Sequence, residues 1–223
     1  MAMQRISLFS GLAAMLLACC AVSSLAQAVP KPAGVLSGPD IPYPVQSVAD
    51  GVVVVDVSLD STGAVTGVKV VRDVLSLTSP VTSSIPSWKF SPALSQGSPV
   101  ASVVRIAIAF RPRSYFATGP VFDPVPPQGA SDHDRLSIAP GIVSAAYPQY
   151  PVNAAMPGTV IVQALVGQRG GVQRTKVVRD LPPFSSFALN ALSRWRLQPA
   201  TLDGKPVPCN LAIAFVFAPL PAE

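Results

Sequence analysis

Residues 51–73 read GVVVVDVSLDSTGAVTGVKVVRD, and residues 158–180 read GTVIVQALVGQRGGVQRTKVVRD. Both stretches end on KVVRD, and the two copies lie 107 positions apart. The neighbours keep that offset: Gly51 and Gly158, Val53 and Val160, Gly63 and Gly170, Val65 and Val172, Trp88 and Trp195, Gly97 and Gly204. So do Pro92-Ala93 and Pro199-Ala200, Pro99-Val100 and Pro206-Val207, and even Tyr43-Pro44 and Tyr150-Pro151. An offset held without a gap over about seventy residues marks a duplicated domain, because so long a unit is not a solenoid repeat.

Within the first copy Val53, Val55, Val57 and Leu59 alternate with Val52, Val54, Asp56 and Ser58, the period of a strand with one face buried and the other partly wet. Asp60-Ser61-Thr62-Gly63 makes a turn, and a second strand runs to about Arg72. Gly167, Gly170 and Gly171 supply the turn in the second copy. Residues 182–200, PPFSSFALNALSRWRLQPA, then place Phe184, Phe187, Ala188, Ala191, Leu192 and Trp195 on one helical face, closed by Pro199. Leu77, Val81, Ile85 and Trp88 match them in the first copy, but Pro80 and Pro86 interrupt, so that helix is expected to be short, irregular or restarted. A third strand follows, from about Val100 to Phe110 and from about Val207 to Phe217. The expected class is α+β: two tandem small domains, each a three-stranded antiparallel sheet packed on one helix in the order strand, strand, helix, strand. Trp88 and Trp195 are the largest core residues of that arrangement.

The expected boundaries are a signal at 1–28, an extended segment at 29–40, a first domain at 41–112 with a degenerate helix, a Pro-rich linker at 113–146 and a second domain at 147–219. Arg5, the apolar run from Ile6 to about Val22 and the small residues Ala26 and Ala28 form the signal. Three fates stay open for it: cleavage after Ala28, retention of residues 6–26 as a membrane anchor, or lipidation at Cys19. Each makes the remainder an exported, periplasmic protein, with membrane contact only through an uncleaved or lipidated N-terminus. Removal of the signal leaves Cys209 as the single cysteine, alternating with Val207, Leu211 and Ile213 on an apolar strand face, where a thiol packs as a small hydrophobe.

The net charge is +5 with only 12% charged residues, and the positive balance comes from scarce carboxylates rather than basic runs. Without such runs interleaved with aromatics, no nucleic-acid partner is expected. Catalysis needs a nucleophile, a base and a group to orient it. The inventory is one His, one Glu (Glu223), a packed Cys209, and aspartates at turns and strand ends such as Asp60, Asp73, Asp180 and Asp203. No catalytic residue and no cofactor is therefore assigned. Asp132-His133-Asp134 in the linker cannot close a metal site by itself, so no metal is assigned either. Arg72-Asp73 and Arg179-Asp180 read as solvated charge pairs ending the second strands.

Several short motifs now fall into one pattern: Tyr147-Pro148, Gly158-Thr159-Val160, Gly171-Val172, Trp195-Arg196-Leu197-Gln198-Pro199-Ala200 and Gly204-Lys205-Pro206-Val207. The first copy has Gly51-Val52-Val53, Gly63-Ala64-Val65, Trp88-Lys89-Phe90-Ser91-Pro92-Ala93 and Gly97-Ser98-Pro99-Val100. This pattern resembles the C-terminal domain of TonB, twice over. The resemblance implies a periplasmic protein-binding module that grips an extended segment of an outer-membrane receptor or another envelope protein, in TonB-dependent transport. It also implies strand addition along the last strand, here Leu211, Ala212, Ile213, Ala214, Phe215, Val216 and Phe217. The alternative is a non-transport envelope scaffold that contacts the cell wall, or whose edges pair between the two copies or between two chains in a homodimer. An open edge must be covered in either case.

Overall fold

Two valine-rich hairpins seed the fold, and they build one sheet instead of two. The computed structural model describes residues 31–44, 47, 49–111, 137–150 and 156–218. The first copy runs β1 (Gly34–Ser37), β2 (Gly51–Leu59), β3 (Val65–Arg72), α1 (Thr78–Ser84) with a 3-10 turn at Ile85–Ser87, β4 (Lys89–Ser91), β5 (Ala93–Ser95), β6 (Ser98–Val100) and β7 (Ser102–Arg111). The second runs β8 (Ser137–Ile138), β9 (Gly141–Ser144), β10 (Gly158–Val166), β11 (Val172–Arg179), α2 (Phe184–Leu192), β12 (Arg196–Gln198), β13 (Ala200–Leu202), β14 (Lys205–Val207) and β15 (Cys209–Phe217). The class is α+β. Residues 137–146, read above as the end of the linker, carry β8 and β9, while the signal and Asp132-His133-Asp134 lie outside the described residues.

Each hairpin turns on a glycine for a steric reason. Gly63 at φ +88° and Gly170 at φ +79° occupy the left-handed region, where a side chain is strained. A Cβ at Gly63 would stand 2.6 Å from the Phe90 carbonyl oxygen, and one at Gly170 would stand 2.3 Å from that of Leu197. The turn thus packs against the strand that follows the helix. In the first copy the Asp60 carboxylate also accepts the Thr62 N–H at 2.8 Å and the Ala64 N–H at 3.0 Å.

The long strands form one six-stranded sheet in the order β11-β10-β15-β7-β2-β3. Pairing inside each copy is antiparallel, and the junction β15–β7 is parallel. A parallel junction between equivalent strands places their axis of pseudosymmetry along the strands, which turns over the face of one copy relative to the other. The two cores bear this out. Phe184, Ala188, Ala191, Leu192 and Trp195 pack with Val160, Val162, Ile213, Phe215 and Phe217 on one face. Leu77, Val81, Ile85 and Trp88 pack with Val53, Val55, Ile106, Ile108 and Phe110 on the other. Register follows from the same symmetry. Partners in a parallel pair share a face, yet equivalent residues must face opposite ways, so the strands slip by one residue. Phe215 therefore lies beside Ala109 and Ile108 beside Ala214, a large side chain next to a small one from Ala212 to Phe215.

The prolines of the first copy explain its shorter helix. Pro80 is the third residue of α1, where the N–H has no intrahelical partner to lose. Pro86 stands in the first turn of the 3-10 segment, so the helix restarts there. α2, free of internal proline, runs nine residues against seven.

Candidate functional site

Leu211 to Phe217, the strand expected to present an open edge, is central in the sheet. It pairs with β10 on one side and β7 on the other, and every one of the seven residues is buried. The expectation of an edge free for a partner is corrected here, and of the two ways to satisfy that edge the inter-copy one is observed. The reason is complementarity. At the middle of the junction each copy's last strand is large on its helix side (Ile106 and Ile108, Ile213 and Phe215) and small on its back (Ala107 and Ala109, Ala212 and Ala214), so each is shaped to fit the other's. Trp88 and Trp195 are both core, 2% and 6% exposed.

The junction is held by segments that precede each copy and cross to the other. Residues 33–43 cover the back of the second copy, where Ala33, Val35, Ile41 and Tyr43 share a cluster with Ile161, Ala212, Ala214 and Val216. The Val35 N–H donates to Gln163 Oε1 at 2.7 Å, the Ile41 N–H to Thr159 Oγ1 at 3.0 Å, and Asn210 Nδ2 to the Ala33 carbonyl at 2.9 Å. Arg179 pairs with Asp40 of this segment and not with its neighbour Asp180, so the charge pair expected to end the strand ties the copies together instead. Residues 140–150 cover the back of the first copy, with Ile142 and Ala145 in the cluster of Val52, Val54, Ala107 and Ala109.

On that second back face lies a buried ion pair missed in the sequence. Asp56 and Arg105 are register partners, 2% and 1% exposed, joined by two bonds of 2.7 and 2.8 Å, and Arg105 Nη1 donates to the Pro140 carbonyl at 2.9 Å. The signal for it was an Asp between valines on a strand and an Arg before the alternation IAIAF. Nearby, Arg111 Nε donates to the Pro148 carbonyl at 3.2 Å. Burial pushes the Tyr43 phenol up to about 12, with Asp50 acting the same way, and raises Tyr147 for the same reasons. Both phenols are neutral at physiological pH, and that of Tyr43 donates to the Ala49 carbonyl. Burial also pushes the Cys209 thiol up to about 11, so it packs as a thiol and is a poor nucleophile.

The outer edges of the six-stranded sheet are β3 and β11, the two strands that carry KVVRD. This too was legible in principle, since the first strand of each copy is paired on both sides and leaves the second outside. Gln173, Arg174, Thr175 and Lys176 are exposed on β11, and Thr66, Lys69 and Val70 on β3. Among the described residues no group of three or more His, Cys, Asp or Glu side chains is placed to hold a metal. Nor is any helix there long and apolar enough to cross a membrane.

The sequence model of one family, described as Gram-negative bacterial TonB protein C-terminal, matches residues 42–112 and 143–219. No curated protein and no solved structure matches the chain.

Proposed function

The chain belongs to the family of Gram-negative bacterial TonB protein C-terminal domains, and from that membership we propose that it is a periplasmic protein-interaction module of the non-transport, scaffolding kind. The observation that carries this reading is the parallel β7–β15 pairing. The strand that family resemblance assigns to an incoming receptor segment already has both neighbours. Replacing β7 by a receptor segment would break a seven-residue ladder and take Ala107 and Ala109 out of the second copy's core and Ala212, Ala214 and Val216 out of the first copy's. Apolar area taken out of water is worth roughly 25 cal/mol per Å², so an added peptide must recover that burial and the ladder before it gains anything. The module acts by binding and not by catalysis, and partners meet the surfaces left outside the junction.

Hydrogen exchange on the full chain tests this. The probe is a synthetic peptide bearing the extended N-terminal segment of a TonB-dependent outer-membrane receptor. Amides 105–111 and 211–217 are expected to exchange only with global unfolding, whether or not the peptide is present. Loss of protection in 105–111 while 211–217 stay protected would mean that the receptor segment displaces β7, and the transport reading would replace this one.

A further inference from the structure

The duplication supplies an internal comparison for surface charge. Residues 42–112 carry five basic and four acidic side chains. Residues 143–219 carry seven basic ones (Arg169, Arg174, Lys176, Arg179, Arg194, Arg196 and Lys205) and only Asp180 and Asp203 against them. Both copies build the same strands, so folding does not require the excess. Arg169 stands where the first copy has Thr62, and Arg174 where it has Gly67. Both flank or lie on β11, with Lys176 beside them, and all three are exposed. Arg174 and Lys176 face Leu165 and Gln163 across the hairpin, so they share one face of the strand. The ion pairs among the described residues are Asp56–Arg105 and Asp40–Arg179, and neither involves these side chains.

We infer that the outer edge of β11, unpaired among the described residues, docks an acidic, extended segment of a partner protein, which adds as a further strand with its carboxylates on Arg174, Lys176 and, at the hairpin end, Arg169. The inference rests on the protein-interaction reading above and names the partner's chemistry. An unpaired strand edge offers alternating N–H and C=O groups, which a polypeptide matches and a lipid headgroup does not. Side chains two residues apart on a strand are spaced about 7 Å, the spacing of alternate side chains on an added strand. Lysine on an edge also discourages self-pairing. One lysine suffices for that on β3, where Lys69 is the equivalent of Lys176, whereas Arg174 and Arg169 have no basic counterpart in the first copy.

The test uses the full chain and two ten-residue peptides of Val and Thr, one with Glu and one with Lys at alternate positions. Fluorescence anisotropy measures affinity and hydrogen exchange locates the peptide. The acidic peptide is expected to bind, to raise protection in amides 172–179, and to weaken at least tenfold in the double variant Arg174→Glu, Lys176→Glu. Lys69→Glu is expected to leave binding unchanged, and circular dichroism checks that each variant is folded. Equal affinity for the basic peptide would overturn the inference, as would protection confined to 65–72. Binding to phosphatidylglycerol vesicles that the charge reversal abolishes, with neither peptide bound, would assign the patch to lipid and overturn it too. Failure of the scaffold reading shows elsewhere, in amides 105–111, so the two outcomes are separable.

Discussion

The two copies perform one structural task with different chemistry. Each must hold the segment that crosses its back face. The second copy does so with a neutral amide, Gln163 Oε1 accepting from the Val35 N–H. The first places Asp56 and Arg105 at the positions of Gln163 and Ala212, and Arg105 donates to the Pro140 carbonyl. A buried ion pair is therefore not a requirement of this fold. What the positions share is a directional bond to a crossing backbone. Outside, the difference runs the other way, since β11 of the second copy carries Arg174 besides Lys176 and Arg179, whereas β3 of the first carries only Lys69 and Arg72.

The most severe challenge to this equivalence is a proline in the junction. Ala107 and Ala214 are equivalent, and each lies in a strand paired on both sides. Ala107→Pro and Ala214→Pro are each expected to cost well beyond the ~1 kcal/mol of one lost hydrogen bond, because the ring also disrupts a central strand. Thermal melting should show both copies lost in one transition. Survival of one copy in either variant would show that the halves fold independently.

A smaller effect separates the two anchors. Asp56→Ala leaves Arg105 buried without its carboxylate and should cost about 3–5 kcal/mol, read from denaturant midpoints. Asp56→Gln combined with Arg105→Ala installs the second copy's residues and should cost much less. Equal losses would mean that charge itself is needed there.

The tryptophans differ by one bond. Trp195 Nε1 donates to the Ala146 carbonyl at 2.9 Å, whereas Trp88 Nε1 finds no acceptor among the described residues. Trp195→Phe is expected to be more destabilising than Trp88→Phe by about 1 kcal/mol. A reversed order in urea unfolding would contradict that assignment.

The smallest difference is in the turns. Hydrogen bonds from Thr62, and then from the Ala64 backbone, hold the exposed Asp60 carboxyl below its ordinary pKa. A depressed folded pKa gives stability that is present above the unfolded value and lost as pH falls through the folded one. Amides 62–64 should thus exchange faster on acidification, relative to the intrinsic rate, while the glycine turn at 167–171 does not change. A uniform response of both turns would remove Asp60 from the account.

Much of the fold was legible because its signals are local. The period-two valines, the turn glycines and the apolar helical stripe ending in Trp195 each follow from backbone geometry over a few residues. The duplication was legible because an offset is arithmetic. The site was only half legible: Leu211 to Phe217 stood out as the strand that needs a partner, but its partner did not. Alternating Ile, Ala and Phe read the same whether the edge meets water, a receptor or another strand, since every residue offers the same N–H and C=O. Choice among these depends on side chains distant in sequence, such as Ile108 meeting Ala214 and Ala109 meeting Phe215. Asp56 looked half-wet for the same reason, because Arg105 and the Pro140 carbonyl reach it only across the sheet and from the crossing segment. The amino-acid sequence determined which strands each copy makes. Only the tertiary structure decided that the copies close on each other and turn their KVVRD strands outward, because the fit of each copy's large helix-side residues beside the other's small back-face residues, and not any local propensity, selects the pairing.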